Sequence, residues 1–576
     1  MVPSTDPPFV SSGVGEPGAA PVSVEGVATD SAPFNLDITN LAKTPINLEA
    51  LEAELSYYDS SDSNYILDGF RSGFSLHYSG THVAVESKNL KSAMESPAIV
   101  QDKIDKEILA GRVAGPFTER PMETLRVSPI GLVPKKSPGE YRLIHHLSHP
   151  RGRSVNDFID PQLCSVQYTS FDEAVFMLQD LGPNCKIFKM DLKNAFRLLP
   201  VNPADFDLLG FKLDGKYYID KAVPFGCSVS CRTFEVFATF LEFAVKRRMV
   251  SGKLIHYLDD YLGGDKSYAL CEQIMEIFRS CLASLCVPLA EEKTEGPSEV
   301  LCFLGLELDS RNMVVRIPRE KIEELVQKIE FVLAKEKVTL LTMQSLIGSL
   351  NFCCRAIIPG RAFCRRLINA ICGLTKPHHH LRITKGIRLD LCMWLDFFRQ
   401  HNGVSVFHDR FWVSNDDVQL YTDSAGGPDL GFGIYFQGKW ACATWPIFWR
   451  EMGLTDDITV LELFPILVSL HLWGQNLRNK KIRFNCDNMA VVQIINSMTS
   501  KSELVMCLVR LLTIRCLELN IVLKSTHIDG FRNDICDSLS RQQLAKFREL
   551  APEADADPTP VPSHLWTVFA PGPNSC

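Results

Sequence analysis

Two adjacent aspartates, Asp259 and Asp260, stand between two short apolar runs in the segment KLIHYLDDYLGG, from Lys253 to Gly264. Runs of this kind flanking an acidic pair read as a β-hairpin with the acids at its turn, where Asp is tolerated for backbone reasons. A plain turn is one reading of the pair. Another comes from KIFKMDLKNAF upstream, an apolar strand-like run that ends in Asp191. Two strands that each deliver a carboxylate at one end can hold two divalent cations ~3.5–4 Å apart, the geometry that activates a 3′-hydroxyl and stabilises a departing pyrophosphate. Mg2+ fits because it takes few carboxylates and leaves room for substrate phosphates. Mn2+ is the natural substitute.

Four more acids fall at element ends further along. Asp423 in LYTDSAG ends an apolar strand, Glu462 starts an apolar helix, Asp487 in IRFNCDN ends another strand, and Asp537 lies on the helical stretch NDICDSLSR. Such a set also suits two-metal phosphodiester cleavage. Each member has a duller reading. Glu462 follows Thr459 by three and can close a capping box. Asp487 can cap the helix that begins at Asn488. An Asp on a polar helix face is usually solvated.

These acids need scaffolds, and 576 residues are too many for one core. With 46% hydrophobic and 22% charged residues the chain has the balance of a globular protein rather than a disordered or membrane one. No stretch reaches the ~18 to 20 apolar residues of a membrane span, so no membrane partner is expected. The net charge of −8 is local: residues 1–70 hold eleven acidic residues against Lys43 alone, leaving +2 for the remainder. That balance permits a nucleic-acid partner without arguing for one. The 19 Cys begin at Cys164 with no C-x-x-C pair, which points to reduced thiols and an intracellular setting, cytoplasm and nucleus being equally compatible.

The patterning divides the chain into an acidic leader at 1–70, disordered or weakly helical, a mixed α and β region at 71–310, a helical region at 311–415, a second α and β region at 416–547, and a flexible Pro-rich tail at 548–576. Within the helical region Ile322, Leu325, Val326 and Ile329 share one face. Residues 431–445 read as a hairpin turning at Gln437–Gly438–Lys439.

The run Tyr257-Leu258-Asp259-Asp260 resembles the Y-x-D-D box of reverse transcriptases, and DLKNAFRLLPV resembles the aspartate motif that precedes it in that family. The resemblance implies a right-hand polymerase of fingers, palm and thumb, an α+β multidomain chain in which Asp191, Asp259 and Asp260 bind two Mg2+ ions. It makes Phe196 the aromatic gate against a ribose 2′-hydroxyl. It makes Phe225 and Gly226 part of the P-F-G box beside template and incoming nucleotide. The segment GLVPKKSPGEYRLIHHLS resembles the fingers motif, so that Lys135 or Lys136 and Arg142 contact the triphosphate. Lys293 in EEKTEG matches a later lysine-bearing motif, with a solvated surface lysine as its plainer reading. Asn194 stands where many relatives carry Asp, and no catalytic role is assigned to it.

The four later acids, together, resemble the T-D-x-A, E-L, D-N and D-x-L-S-R boxes of ribonuclease H, with His527 at the place of a mobile histidine that helps product leave. An α/β ribonuclease H domain binding a second pair of Mg2+ ions is thus implied, joined to the polymerase by a helical connection. The partners implied are an RNA template, a DNA primer, RNA/DNA hybrid and deoxynucleoside triphosphates. The wording of HLWGQN, ELFPIL and the C-terminal FRELAPEADADPTPVPSHLW resembles DIRS-type retrotransposons, whose movement relies on a separately encoded tyrosine recombinase. An inactive, domesticated relic that only binds nucleic acid and a fragment of a gypsy-type polyprotein are the competing readings.

Overall fold

The computed structural model describes residues 35–135, 139–402, 407–408 and 411–569. It is a mixed α and β, multidomain architecture that divides into two compact units, each assembled from separate stretches of chain. The first comprises residues 1–43, 75–159 and 200–227, the second residues 44–74, 160–199 and 228–576.

In the first unit five strands form one sheet in the order Val85–Glu86, Arg126–Val127, Gly210–Leu213, Lys216–Asp220, Val113–Phe117. The helix Pro97–Leu109 starts on a proline, which costs nothing where no intrahelical partner exists, and buries Val100, Ile104 and Ile108 along one line. That line packs on Val113, Phe211 and Tyr218. A separate hairpin pairs Ile130–Pro134 with Tyr141–His145.

The second unit begins with an antiparallel sheet in the order Glu295–Ser298, Lys186–Asp191, Asp260–Asp265, Lys253–Tyr257. The helices Ser230–Lys246 and Tyr268–Ser284 pack on it and on each other. Glycines at 263 and 264 are what allow this sheet to close, because an added Cβ would lie 2.3 Å from the Phe188 ring at one position and 2.5 Å from the Lys186 carbonyl at the other. A three-stranded sheet over residues 300–316 and the helices Arg319–Leu333, Leu340–Cys353, Arg365–Ile371 and Lys385–Gln400 follow. Leu325, Ile329 and Val332 form the buried line of the first of these helices. Asp390 in the last is buried and meets Arg510 at 3.1 Å and Arg366 at 3.4 Å, which ties it to the later helix Glu503–Leu519. Removing either charge of such a pair would strand the other in the core.

The same unit ends in an antiparallel sheet of Leu420–Ser424, Gly431–Phe436 and Lys439–Thr444, beside a parallel pair, Lys481–Cys486 with Val522–His527. Gln437 and Gly438 both take positive φ, 49° and 83°, the two-residue turn whose twist suits a tight hairpin.

Two expectations are corrected. The disordered or weakly helical leader at 1–70 gives way to the helices Leu48–Leu55 and Asp62–Ser72, which bury Leu51, Leu55, Ile66 and Phe70; residues 1–34 lie outside the described ones. The Phe70 ring sits 4.9 Å from Phe237, and Glu54 accepts from Arg247 and Arg248. Short acidic helices look coreless in isolation because their burial comes from a helix 170 or so residues away. The tail expected to be flexible at 548–576 is packed over its described part: Trp566 lies 5.3 Å from Phe464, its carbonyl accepts from the Trp449 indole at 2.9 Å, and Leu565 is buried. Proline-rich chain spans a surface without needing a ladder, so it can carry aromatics back to the core. No helix among the described residues is long and apolar enough to cross a membrane, and no disulfide joins the described cysteines.

Candidate active sites

Asp260 is the register partner of Asp191 on one side and of Tyr257 on the other. Leu258 and Asp259 form the turn between the two strands, Leu258 at φ 53°. The Leu192 N–H donates to the Asp259 carbonyl at 3.1 Å, which pins the turn to the end of the strand that carries Asp191. The three acids are thus delivered to one end of the sheet by pairing alone. Lys293, on the turn Glu291–Lys293, donates to Asp191 Oδ1 at 2.8 Å, and the Ala290 N–H donates to the Asp191 carbonyl at 2.9 Å. The plain reading of Lys293 as a surface lysine therefore misses its contact, which joins it to the acids. Burial, then a hydrogen bond with Asp191 and the charges of Asp259 and Asp191, pushes the Asp260 carboxyl up to about 7. An opposing divalent charge is what would let all three ionise together.

Phe196 sits on the turn Ala195–Leu198, entered through Asn194 in the left-handed region. Its ring is buried and lies 4.9 Å from that of Phe234. Behind the acidic hairpin, His256 is buried with Nδ1 bonded to Glu242 and Nε2 3.3 Å from Glu235. Burial alone would lower this imidazole, but the two glutamates raise it to about 9. Its charged ring stacks at 5.4 Å on Tyr261, the residue after Asp260. Nothing in the local sequence marks this triad, whose members come from a helix and a strand.

Lys135, Arg142, Phe225 and Gly226 all belong to the first unit. Lys135 pairs with Glu140 at 3.2 Å across the open end of its hairpin. The Arg142 guanidinium lies 5.2 Å from the Phe225 ring, a cation–π contact that orients an exposed arginine. Gly226 has φ 115°, and a Cβ there would stand 2.4 Å from the His145 carbonyl oxygen, so only glycine fits. Lys136 lies outside the described residues.

Ligand atoms of Asp423, Glu462 and Asp487 all lie within 4.8 Å of one another. The duller readings of two of them fail. The helix Ile458–Leu472 is capped by Asp457 and the helix Met489–Ser497 by Asn488, whose side chain accepts from Ala490 and Val491. Glu462 and Asp487 are left for other work. Glu462 Oε2 and Asp487 Oδ1 are buried without a hydrogen-bond partner, which is costly for carboxylate oxygens unless a cation reaches them. Burial, then the charges of Asp423 and Asp487, pushes Glu462 up to about 9; burial likewise pushes Asp423 up to about 6, against the pull of the Ser540 hydroxyl. A hard divalent cation with oxygen ligands fits this donor set.

Residues not singled out by sequence patterns hold these acids in place. Ser540 donates to Asp423 Oδ2 at 2.6 Å, and Asn533 donates to Asp487 Oδ2 at 3.3 Å and to the Thr422 carbonyl at 2.9 Å. Pro465 lies inside the Glu462 helix and has no N–H for the Leu461 carbonyl four residues back. That carbonyl accepts instead from the Ser424 hydroxyl at 2.8 Å, which latches the first turns of the helix to the strand end beside Asp423. The Pro in ELFPIL was the only signal in the sequence for this device. Asp537 is not brought into the close group; it pairs with Arg541 at 2.6 Å one turn along its helix. His527 is exposed, with Nε2 3.1 Å from the Asp487 carbonyl.

Residues 133–308 match the family described as reverse transcriptase (RNA-dependent DNA polymerase). Protein P of duck hepatitis B virus is a relative of part of the chain: the United States strain is 27% identical over 164 residues, 28% of this chain and 19% of that protein, and one German strain is 30% identical over 166 residues, 28% and 20%. The chain therefore spans about a fifth of the length of these relatives. Among solved structures, the foamy viral protease-reverse transcriptase dRH in complex with double-stranded DNA is 16% identical, with 86% of this chain and 84% of that one covered and a TM-score of 0.46. The same viral protein with RNA/DNA hybrid is 16% identical, with 86% and 64% covered and a TM-score of 0.47.

Proposed function

From a reverse-transcriptase family segment at residues 133–308, we propose that this chain is an RNA-directed DNA polymerase that also cleaves the RNA strand of RNA/DNA hybrids. The observation that carries the reading is Asp260 standing opposite Asp191 in adjacent strands, with Asp259 at the turn, inside that segment.

In this reading residues 71–310 are fingers and palm, 311–415 thumb and connection, and 416–547 the ribonuclease H domain, to which the packed residues 548–569 are added. Asp191, Asp259 and Asp260 hold two Mg2+ ions, with Mn2+ as substitute. Bound there, the ions lower the pKa of the primer 3′-hydroxyl and neutralise charge on the departing pyrophosphate. Lys293 holds Asp191 in place and offsets part of the acids' mutual repulsion. Phe196, fixed by Phe234, is the gate beside the sugar. Arg142, oriented on Phe225, and Lys135 or Lys136 take the triphosphate, and Gly226 lets the chain approach closely. At the second site Asp423, Glu462, Asp487 and Asp537 would hold the cations, which would supply activated water for RNA cleavage, and His527 assists product departure.

RNA template, DNA primer, hybrid and deoxynucleoside triphosphates are the partners. A DIRS-type retrotransposon origin, with a separately encoded tyrosine recombinase and action in cytoplasm or nucleus, rests on the wording of ELFPIL and the C-terminal segment. Primer extension on poly(rA) with oligo(dT), and cleavage of a labelled hybrid, test the reading with Mg2+ and with Mn2+. Metal-dependent extension and cleavage by the same preparation are expected. A folded chain that binds the hybrid but neither extends nor cuts would be the inactive relic.

A further inference from the structure

Along the parallel pair Lys481–Cys486 and Val522–His527, alternate side chains go to opposite faces. Ile482, Phe484, Cys486, Leu523 and Ser525 are buried, whereas Arg483 and Lys524 are exposed. These two cations are direct register partners. Like charges so placed repel and weaken the pairing. Among the described residues neither is ion-paired to a carboxylate. What they share is the ring of Trp412: Lys524 Nζ is 4.7 Å from its centroid and the Arg483 guanidinium 5.9 Å, with Lys481 Nζ at 5.7 Å. The ring is held there by Val413, whose N–H donates to the Lys481 carbonyl at 2.8 Å and whose carbonyl accepts from the Arg483 N–H at 2.9 Å. Its neighbour Phe411 is 83% exposed.

We propose that this outer face, centred on Trp412, Arg483 and Lys524, is a track for the sugar-phosphate backbone of the RNA/DNA hybrid that is cut at Asp423, Glu462 and Asp487. The inference rests on the nuclease reading above and adds to it where the substrate lies. Lys481, Arg483 and Asn485 share one parity along the strand Lys481–Cys486, and Asp487 is the residue that follows its end. From Arg483 to that strand end the path is ~10 Å at ~3.3 Å per residue. Phosphates laid against the two cations would neutralise a repulsion that nothing else on the described surface offsets. The Trp412 and Phe411 rings offer flat apolar surface to the sugars and keep the cations from collapsing onto carboxylates elsewhere. The competing role for the cations is simply to cover Trp412, which would make them matter for stability and not for binding.

The test uses the full chain and a fluorescein-labelled RNA/DNA hybrid of about 20 base pairs, with Ca2+ in place of Mg2+ to prevent cleavage. Affinity is followed from low to high salt for the parent, Arg483→Gln, Lys524→Gln and the double variant. Each lost phosphate contact should flatten the slope of log affinity against log salt by about 0.7 to 0.9, so the double variant should be roughly 1.4 to 1.8 units shallower. Near 0.1 M salt it should bind about tenfold or more weakly. Lys524→Arg should keep the parental slope. An unchanged slope in the double variant, with or without a lower melting temperature, would overturn the track. Cleavage of the same hybrid by the parent with Mg2+ is measured separately: if the parent does not cut, the nuclease reading fails, while the salt slopes still decide whether this face binds the hybrid.

Discussion

The two acidic sites of the second unit solve one electrostatic problem in different ways. At Asp191, Asp259 and Asp260 a protein cation is already present, Lys293 at 2.8 Å from Asp191, and the raised Asp260 shares a hydrogen bond with Asp191. At Asp423, Glu462 and Asp487 no lysine or arginine among the described residues is ion-paired to an acid, Arg541 acting on Asp423 only through its charge; two buried oxygens have no partner, and the carboxyls of Asp423 and Glu462 are raised to about 6 and about 9. At the first site Lys293 offsets part of the acids' charge, although Asp260 is still pushed up to about 7. The second is held together by Ser540, Asn533 and the Ser424 latch against its own repulsion, and depends on a divalent ion to ionise fully. Acid clusters of equal ligand count can therefore differ in how much of their charge the protein itself compensates.

The strongest break in the comparison is functional. Asp260→Asn should lower primer extension on the order of 10³-fold and leave hybrid cleavage largely intact, and Asp487→Asn should do the reverse, since each removes a metal ligand worth several kcal/mol to the transition state. Circular dichroism confirms that each variant is folded. A single substitution that removed both activities would mean that the sites are not independent.

The next effect is on stability without metal. Folded-state values of Glu462 and Asp423 lie above their ordinary 4.5 and 3.8, so the folded chain binds protons more tightly than the unfolded one. Their contribution to stability is full below about pH 4 and is lost as pH rises through about 6 for Asp423 and about 9 for Glu462. Glu462→Gln should abolish cleavage while stabilising the metal-free chain by about 1 to 3 kcal/mol at pH 8. Urea unfolding in EDTA checks this, and saturating Mg2+ should erase the difference. Equal stability of parent and variant in EDTA would show that the repulsion is relieved in some other way.

Lys293 sharpens the other half of the comparison. Lys293→Met removes the built-in cation, and Asp260 should then hold its proton to higher pH; a further rise of about one pH unit would slow extension at pH 7 by about fivefold. The acidic limb of the pH–rate profile should move upward, with recovery near pH 9. A uniform loss at every pH would instead point to a purely structural lysine.

Smallest is the latch. Ser424→Ala leaves the Leu461 carbonyl, already deprived of its helix partner by Pro465, without a donor at a cost of about 1 to 2 kcal/mol. Hybrid cleavage should fall by several-fold with primer extension unaffected, and Ser424→Thr should restore part of it. If Ser424→Ala cleaves at the parental rate, Glu462 does not need the latch.

Much of the geometry around Asp191, Asp259 and Asp260 was legible because it is local. Strand runs that end in Asp191 and flank Asp259 and Asp260 need only antiparallel pairing to bring the acids together. The later acids were legible by element, since each sits at the end of an apolar run, and the caps that might have claimed Glu462 and Asp487 turned out to be Asp457 and Asn488, one or a few residues away. The helices at 48–55 and 62–72 and the packed tail were not legible, because their buried faces are completed by Phe237 and by Trp449 and Phe464.

By itself the amino-acid sequence determined which carboxylates end strands and helices, that the chain turns beside Asp259 and at Gln437 and Gly438, and that Pro465 must release one carbonyl of its helix. These follow from side-chain alternation, turn preference and a missing N–H, all set within a few residues. Only the tertiary structure decided that Lys293 meets Asp191 across 102 positions, that Ser424 receives the carbonyl freed by Pro465, and that His256 lies between Glu235 and Glu242. It also decided that Arg483 and Lys524 face each other beneath Trp412. Such meetings depend on which elements pack together, and charge and burial at the meeting point then set the chemistry of each group.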